Sequence, residues 1–189
     1  LELKFEKAQE LRYGENPHQK ASFYKDKNIN VVGISNARQL HGKELSFNNI
    51  IDLDAALEIV KEFKEPAASV IKHTNPCGAA SRETIAEAYR EAYMADRLAA
   101  FGGVAALNRA VDVATAKQIM KQYLEVVAAP EFEKEALEML LKKKNMRLIR
   151  IRNIERLKEY RNMCCLELKS LMDGGLIVQQ SQTAKIRSE

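Results

Sequence analysis

The stretch Ala100–Pro130, AFGGVAALNRAVDVATAKQIMKQYLEVVAAP, decides the fold. It opens on a loop, Ala100-Phe101-Gly102-Gly103, that leads into an apolar run from Val104 to Leu107. A helix-period segment follows from about Val113 to Tyr123, and a second apolar run, Glu125 to Ala129, stops at Pro130. Two short apolar strands with a helix between them form a β-α-β unit, and a crossover of that length favours parallel strands.

The pattern extends in both directions. Toward the C terminus a helix from about Phe132 to Lys143 leads into a strand from Met146 to Ile151. Toward the N terminus, Leu53, Ala56, Leu57, Val60 and Phe63 recur at three- and four-residue intervals, which predicts an amphipathic helix over Asp52–Phe63 closed off by Pro66. Ala68–Ile71 then reads as a buried strand and Lys72–Gly78 as a turn-rich stretch. Helix resumes near Arg82, with Tyr89, Ala92 and Tyr93 on its inward face. The order β-α-β-α-β-α-β predicts an α/β fold: a parallel or mostly parallel central sheet, right-handed crossovers and helices on both faces. Ligands of such sheets bind beyond the carboxyl ends of the strands. Asn153–Lys169 fits helix or loop, and Gly174-Gly175 opens a last strand, Leu176–Gln179. Residues 180–189 are expected to fray.

At 189 residues and 46% hydrophobic content, the whole chain, 1–189, is read as one domain with a single core. The net charge of +4 is spread among charges of both signs and suits phosphate-bearing metabolites rather than nucleic acid. The densest basic run, Lys142-Lys143-Lys144 with Arg147, Arg150 and Arg152, lacks interleaved aromatics and is read as a solvated face. Three cysteines without a CxxC pair, and three scattered histidines, provide no zinc spacing, so no metal is expected. A reducing cytoplasm is the expected location. No signal-like apolar segment and no run of 18 apolar residues is present, so no membrane is expected as a partner.

Four groups of residues have chemistry to offer. In Leu11–Gln19, Arg12 can grip a phosphate or carboxylate with a planar fork and Tyr13 offers a ring and a hydroxyl, although the segment equally reads as a structured loop. Lys72-His73, just past a strand, set a cation beside a titratable imidazole, an arrangement that fits a ligand-facing position or a solvent-facing turn. Phe101-Gly102-Gly103 leave room for a ligand to approach the main chain, or simply turn it. Glu125, at the start of a strand, is a further carboxylate that by itself reads first as an exposed surface group. No Gly-rich phosphate loop of the P-loop or dinucleotide type occurs.

Taken in order, five blocks resemble one family, the formyltransferase portion of the bifunctional purine-synthesis protein that also carries inosine-monophosphate cyclohydrolase activity. They are Leu11–Gln19; Gly42–Ile50; Lys72–Gly78; Ala100–Gly103 with Asn108-Arg109 and Val111-Asp112; and Glu125–Val127 through Ala129-Pro130. The resemblance implies a cytidine deaminase-like, three-layer α/β/α fold. It implies a transferase of two similar subdomains, of which this chain resembles only the first, working as a homodimer or paired with a chain that carries the second. The implied reaction moves a formyl group from 10-formyltetrahydrofolate to the 5-amino group of aminoimidazole-carboxamide ribonucleotide (AICAR), and formate with a nucleotide is the alternative donor. His73 is implied as proton acceptor and Lys72 as stabiliser of the transition state, with Arg12, Tyr13, Gly102 and Glu125 contacting the ribonucleotide and Asn49 shaping the same pocket.

The family's later Ser-Asn and Gly-Ala-Gly-Gln segments are absent here, so transfer is expected to need the second subdomain, and no cyclohydrolase activity is expected. Two other readings are set against this one. The first is a nucleotide-binding or assembly subunit without catalysis of its own. The second is a zinc deaminase, which needs a His-x-Glu motif and a Pro-Cys-x-x-Cys pair. Here His73 is followed by Thr74-Asn75, and Cys77 by Gly78-Ala79-Ala80.

Overall fold

The two apolar runs within Ala100–Pro130 both form strands, Gly103–Leu107 and Leu124–Ala129. The computed structural model describes residues 2–26, 32–154, 156 and 165–181. Its elements begin with β1 (Phe5–Leu11), β2 (Ala21–Asp26) and β3 (Arg38–His41), followed by α1 (Phe47–Val60). β4 (Ala67–Lys72), β5 (Asn75–Ser81) and α2 (Ile85–Ala95) come next, then β6 (Gly103–Leu107), α3 (Val113–Met120) and β7 (Leu124–Ala129). The order closes with α4 (Lys134–Leu140), β8 (Arg147–Arg150), β9 (Cys165–Ser170) and β10 (Leu176–Ser181).

Six strands form the central sheet in the order β3-β8-β7-β6-β4-β5, while β1-β2 and β9-β10 are separate two-stranded hairpins. The expectation of a mostly parallel sheet is corrected. Only β6-β7 and β7-β8 are parallel; β3-β8, β4-β6 and β4-β5 are antiparallel. The cause lies in Lys72–Gly78, where the turn comprises only His73 and Thr74 and the chain doubles straight back as β5, with Lys72 opposite Asn75. Pro76, which argues for a turn in the sequence, is tolerated because β5 is an edge strand with no further neighbour to demand its N–H. α2 then returns the chain to the other side of β4, in the opposite direction.

The period-2 alternation of the buried strands divides the core into two layers. Ile71, Val104, Ala106, Val126, Ala128 and Ile149 face one side and meet Leu53, Ala56, Leu57 and Val60 of α1. Val70, Ala105, Leu107, Val127, Ala129 and Leu148 face the other, against α2, α3 and α4. Helices therefore cover both faces, as the pattern predicts.

The first helix differs from its expected bounds, beginning at Phe47 rather than Asp52. Ser46 Oγ accepts from the Asn49 N–H and Asn49 Oδ1 accepts from the Ser46 N–H, both at 3.2 Å, a reciprocal cap that starts the helix a turn and a half early. Asp52 consequently sits inside the helix, buried, instead of at its exposed start. Most of Asn153–Lys169 lies outside the described residues, although Cys165–Ser170 is a strand, paired with β10. The tail expected to fray runs as strand to Ser181 and lies outside the described residues from 182 on.

Candidate active site

α1 runs antiparallel to β4 and in the same direction as the parallel trio, so its amino end, the carboxyl end of β4 and the amino ends of β6, β7 and β8 meet at one edge of the sheet. This corrects the expectation that the site lies beyond the carboxyl ends of the strands. Among the site-bearing strands only β4 contributes its carboxyl end. The positive end of the α1 macrodipole adds to the cations gathered there.

Lys72 is the last residue of β4, half-buried, and its Nζ donates to Phe101 O at 2.7 Å. One bond anchors the ammonium over the loop that precedes β6 and leaves its other donors for a ligand. Gly102 lies in that loop at φ +74, and its N–H donates to Tyr123 O at 2.8 Å. A Cβ on Gly103 would stand 2.8 Å from Ile71 O, so only glycine lets the loop pack against the end of β4. Phe101 and Tyr123 stack with ring centroids 4.9 Å apart, and both remain largely exposed.

Glu125 follows at the start of β7. Its Oε2 accepts from Asn49 Nδ2 at 2.9 Å and faces Arg147 Nη1 at 3.5 Å, while Oε1 has no partner among the described residues. Asn49, only 3% exposed, has committed both ends of its amide, one to the helix cap and one to Glu125. It therefore shapes the site by holding Glu125.

His73 occupies the first position of the β4-β5 turn at φ 53, followed by Thr74 at φ 61. Its side chain is exposed and makes no hydrogen bond among the described residues. Its backbone N–H and that of Thr74 are both accepted by the Asp52 carboxylate, at 3.2 and 2.7 Å.

Arg12 and Tyr13 stand in the loop between β1 and β2, where the guanidinium lies 5.7 Å from the tyrosine ring centroid. That loop closes on itself through Gly14 N–H to Gln19 O and Gln19 N–H to Asn16 O. Asn48 Nδ2, in the first turn of α1, donates to Glu15 O at 3.3 Å and ties the loop to the site end of the helix. The structure thus brings Lys72, His73, Gly102, Glu125 and Asn49 to one sheet edge, and joins the Arg12-Tyr13 loop to it by that single bond. Among the described residues no hydrogen bond or ion pair links Arg12 or Tyr13 directly to the other five.

Four residues escaped the sequence reading. Arg147 is counted there within a solvated basic face, yet its side chain is 14% exposed, pairs with Glu125 and donates from Nε to Glu44 O at 3.2 Å. Arg150 departs from the same reading, lying 17% exposed beside Glu131. The signal for Arg147 is its place at the head of a strand, as for Glu125 one strand over. Tyr123 and Asp52 carry no such signal, since each reads as ordinary helix.

Among the described residues no group of three or more His, Cys, Asp or Glu side chains could hold a metal ion. Burial, with a smaller push from Asp96, raises the Cys77 thiol above its ordinary value, which makes it a poor thiolate ligand. Among the same residues no helix is long and apolar enough to cross a membrane.

Comparison with known proteins gives one consistent result. The family model described as AICARFT/IMPCHase bienzyme matches residues 1–189. The bifunctional purine biosynthesis protein PurH of Thermoanaerobacter sp. (strain X514) is 55% identical over 176 residues, 93% of this chain and 33% of that protein. Proteins of the same description from Halalkalibacterium halodurans and Bacillus anthracis are each 51% identical, over 97% and 98% of this chain and 35% of their own length. The chain spans about a third of the length of these relatives.

Proposed function

The chain belongs to the AICARFT/IMPCHase bienzyme family, and on that premise we propose that it forms the first transformylase subdomain of an AICAR formyltransferase acting in de novo purine synthesis. The observation that carries the reading is the meeting of Lys72, His73, Gly102, Glu125 and Asn49 at one sheet edge. These are residues that the family resemblance marks from four separate blocks.

The chemistry follows from the substrate. The 5-amino group of AICAR is a poor nucleophile because the ring carboxamide draws on its lone pair. A base must take its proton as it attacks the formyl carbon. His73, exposed at the tip of a hairpin and free of hydrogen bonds among the described residues, supplies that base. The attacked formyl oxygen gains negative charge, and the Lys72 ammonium, anchored by one bond to Phe101 O, stabilises it until the bond from the formyl carbon to N10 of the folate breaks and tetrahydrofolate leaves with a proton on that nitrogen. Glu125 keeps Oε1 as an acceptor for a hydroxyl of the ribose, and Arg12 with Tyr13 contribute a phosphate-gripping fork and a ring. The exposed Phe101-Tyr123 pair gives a flat heteroaromatic ligand a surface to cover.

The formyl donor in this reading is 10-formyltetrahydrofolate, a co-substrate, and the fold is cytidine deaminase-like. The chain is one domain, works in the cytoplasm, and completes its site by homodimerisation or by pairing with the second subdomain.

In an assembly competent for transfer, Lys72→Ala is expected to lower kcat by about two to three orders of magnitude, as loss of one electrostatic donor does. Near-native turnover in that variant would discard the assignment. Calorimetric titration of the chain with AICAR, repeated on His73→Ala, locates the ribonucleotide independently of turnover. The second reading is a nucleotide-binding or assembly subunit without catalysis of its own. If AICAR binds the chain but transfer appears only after the complementary subdomain is added, that reading gains.

A further inference from the structure

The two-residue turn that presents His73 is one its own sequence disfavours. Lys72 and Asn75 pair directly, so His73 and Thr74 alone reverse the chain, and both adopt left-handed backbone, at φ 53 and 61. Turns of this kind are built by preference from Asn-Gly or Asp-Gly, because a Cβ is crowded at positive φ. A β-branched residue such as Thr74 is a genuine outlier there. Such a conformation persists only where its surroundings over-determine it.

We propose that Asp52 is the positioning residue of the reaction, holding the His73-Thr74 turn, and with it the imidazole, in the geometry that proton transfer needs. The inference rests on the formyltransferase reading for its functional half. Asp52 reaches the turn from the middle of α1, and its carboxylate, 6% exposed, accepts both turn amides: His73 N–H on Oδ2 at 3.2 Å and Thr74 N–H on Oδ1 at 2.7 Å. A buried anion taking two N–H donors makes charge-assisted bonds, about twice as strong as neutral ones. The same peptide is fixed from the opposite side, where Asn75 Nδ2 and Thr74 Oγ1 donate to His73 O at 2.8 and 2.7 Å.

Asp52 makes no hydrogen bond to the imidazole, whose ring has none among the described residues. It is therefore no partner in a proton relay. Its effect on the base passes through the backbone, and an Asn in its place would turn an NH2 group toward one of the two amides.

The test pairs two variants and two readouts. In Asp52→Asn, hydrogen exchange at the His73 and Thr74 amides of the chain is expected to accelerate roughly 10-fold or more as their acceptor is lost. In a transfer-competent assembly, kcat is expected to fall about 10- to 100-fold while KM for AICAR stays within about 3-fold, since an interaction realised only in the transition state is lost. Thr74→Gly, which removes the Cβ penalty at φ 61, is expected to restore kcat of Asp52→Asn by about 5-fold or more.

Unchanged amide exchange in Asp52→Asn overturns the inference, and so does a kcat that Thr74→Gly leaves at the single-variant level. If the wild-type assembly transfers no formyl group, the functional reading fails instead, and the amide exchange still decides whether Asp52 holds the turn.

Discussion

The two ends of β6 carry comparable polar equipment and use it in opposite ways. Beyond its last residue, Leu107, Asn108 is 6% exposed and spends its whole amide on the main chain. Its Oδ1 accepts from the Ala67 N–H at 2.7 Å, and its Nδ2 donates to Glu65 O at 2.8 Å and Phe63 O at 3.3 Å. Arg109 beside it donates to Asn108 O and Lys64 O. At the other end, Gly102 and Gly103 clear space, Lys72 is anchored by one bond, and Glu125 keeps one oxygen without a partner. A polar group whose capacity is exhausted by backbone holds the fold together. One that keeps capacity in reserve, at an edge open to solvent, is equipped for a ligand. Asn108-Arg109 and Gly102-Gly103 belong to the same block of family resemblance, so motif membership by itself does not separate the two roles.

The sharpest way to break this contrast is Asn108→Ala. It leaves one buried amide and two carbonyls without their partner, and each such group costs about 1–3 kcal/mol. With partial relief by water at the half-buried positions, a loss of roughly 2–4 kcal/mol in urea denaturation is expected. AICAR affinity measured on the fraction that remains folded is expected to stay unchanged. A loss of affinity without a loss of stability would place Asn108 among the ligand-binding groups and dissolve the contrast.

Legibility in the sequence divides along the same line. The buried elements announced themselves through periodicity: β6, α3 and β7 lie where Ala100–Pro130 places them, because continuous apolar runs and helix-period spacing are imposed by burial. What periodicity could not reveal was the direction of β4 relative to β6. That depends on a two-residue turn whose His-Thr sequence lacks the usual signal and is held by a carboxylate twenty-one residues away from His73. The candidate site residues were proposed one block at a time through family resemblance. Their convergence at the amino ends of the parallel strands, and the parts taken by Asp52 and Arg147, depend on pairings that no local pattern encodes.

Glu125→Gln sharpens the comparison from the ligand side. Gln keeps an oxygen to accept from Asn49 but loses the charge that faces Arg147 and the acceptor strength of the second oxygen. Stability is expected to change by less than about 1 kcal/mol, because the carboxylate is partly exposed. AICAR affinity, read by titration, is expected to weaken about 10-fold, in the range of a lost hydrogen bond to a charged group. The reverse pattern, a large stability loss with intact affinity, would make Glu125 the equivalent of Asn108.

The smallest effect belongs to the ion pair at the far end of β8. Arg150 Nη1 stands 3.3 Å from Glu131 Oε1, with the carboxylate side chain 46% exposed. Solvent screens such a pair, and Glu131→Gln is expected to cost roughly 0.5 kcal/mol or less at moderate salt, with no change in AICAR affinity. Arg147 and Arg150 lie three residues apart on one strand and each faces a glutamate, so they form a matched pair for the comparison. Proximity of opposite charges is common to both ends; reserve capacity at the carboxylate, beside a loop cleared by glycines, is found only at the Arg147 end. If Glu131→Gln weakened AICAR binding as much as Glu125→Gln, the ligand would have to reach the opposite end of the sheet, and assignment of the site to the Lys72 edge would fall.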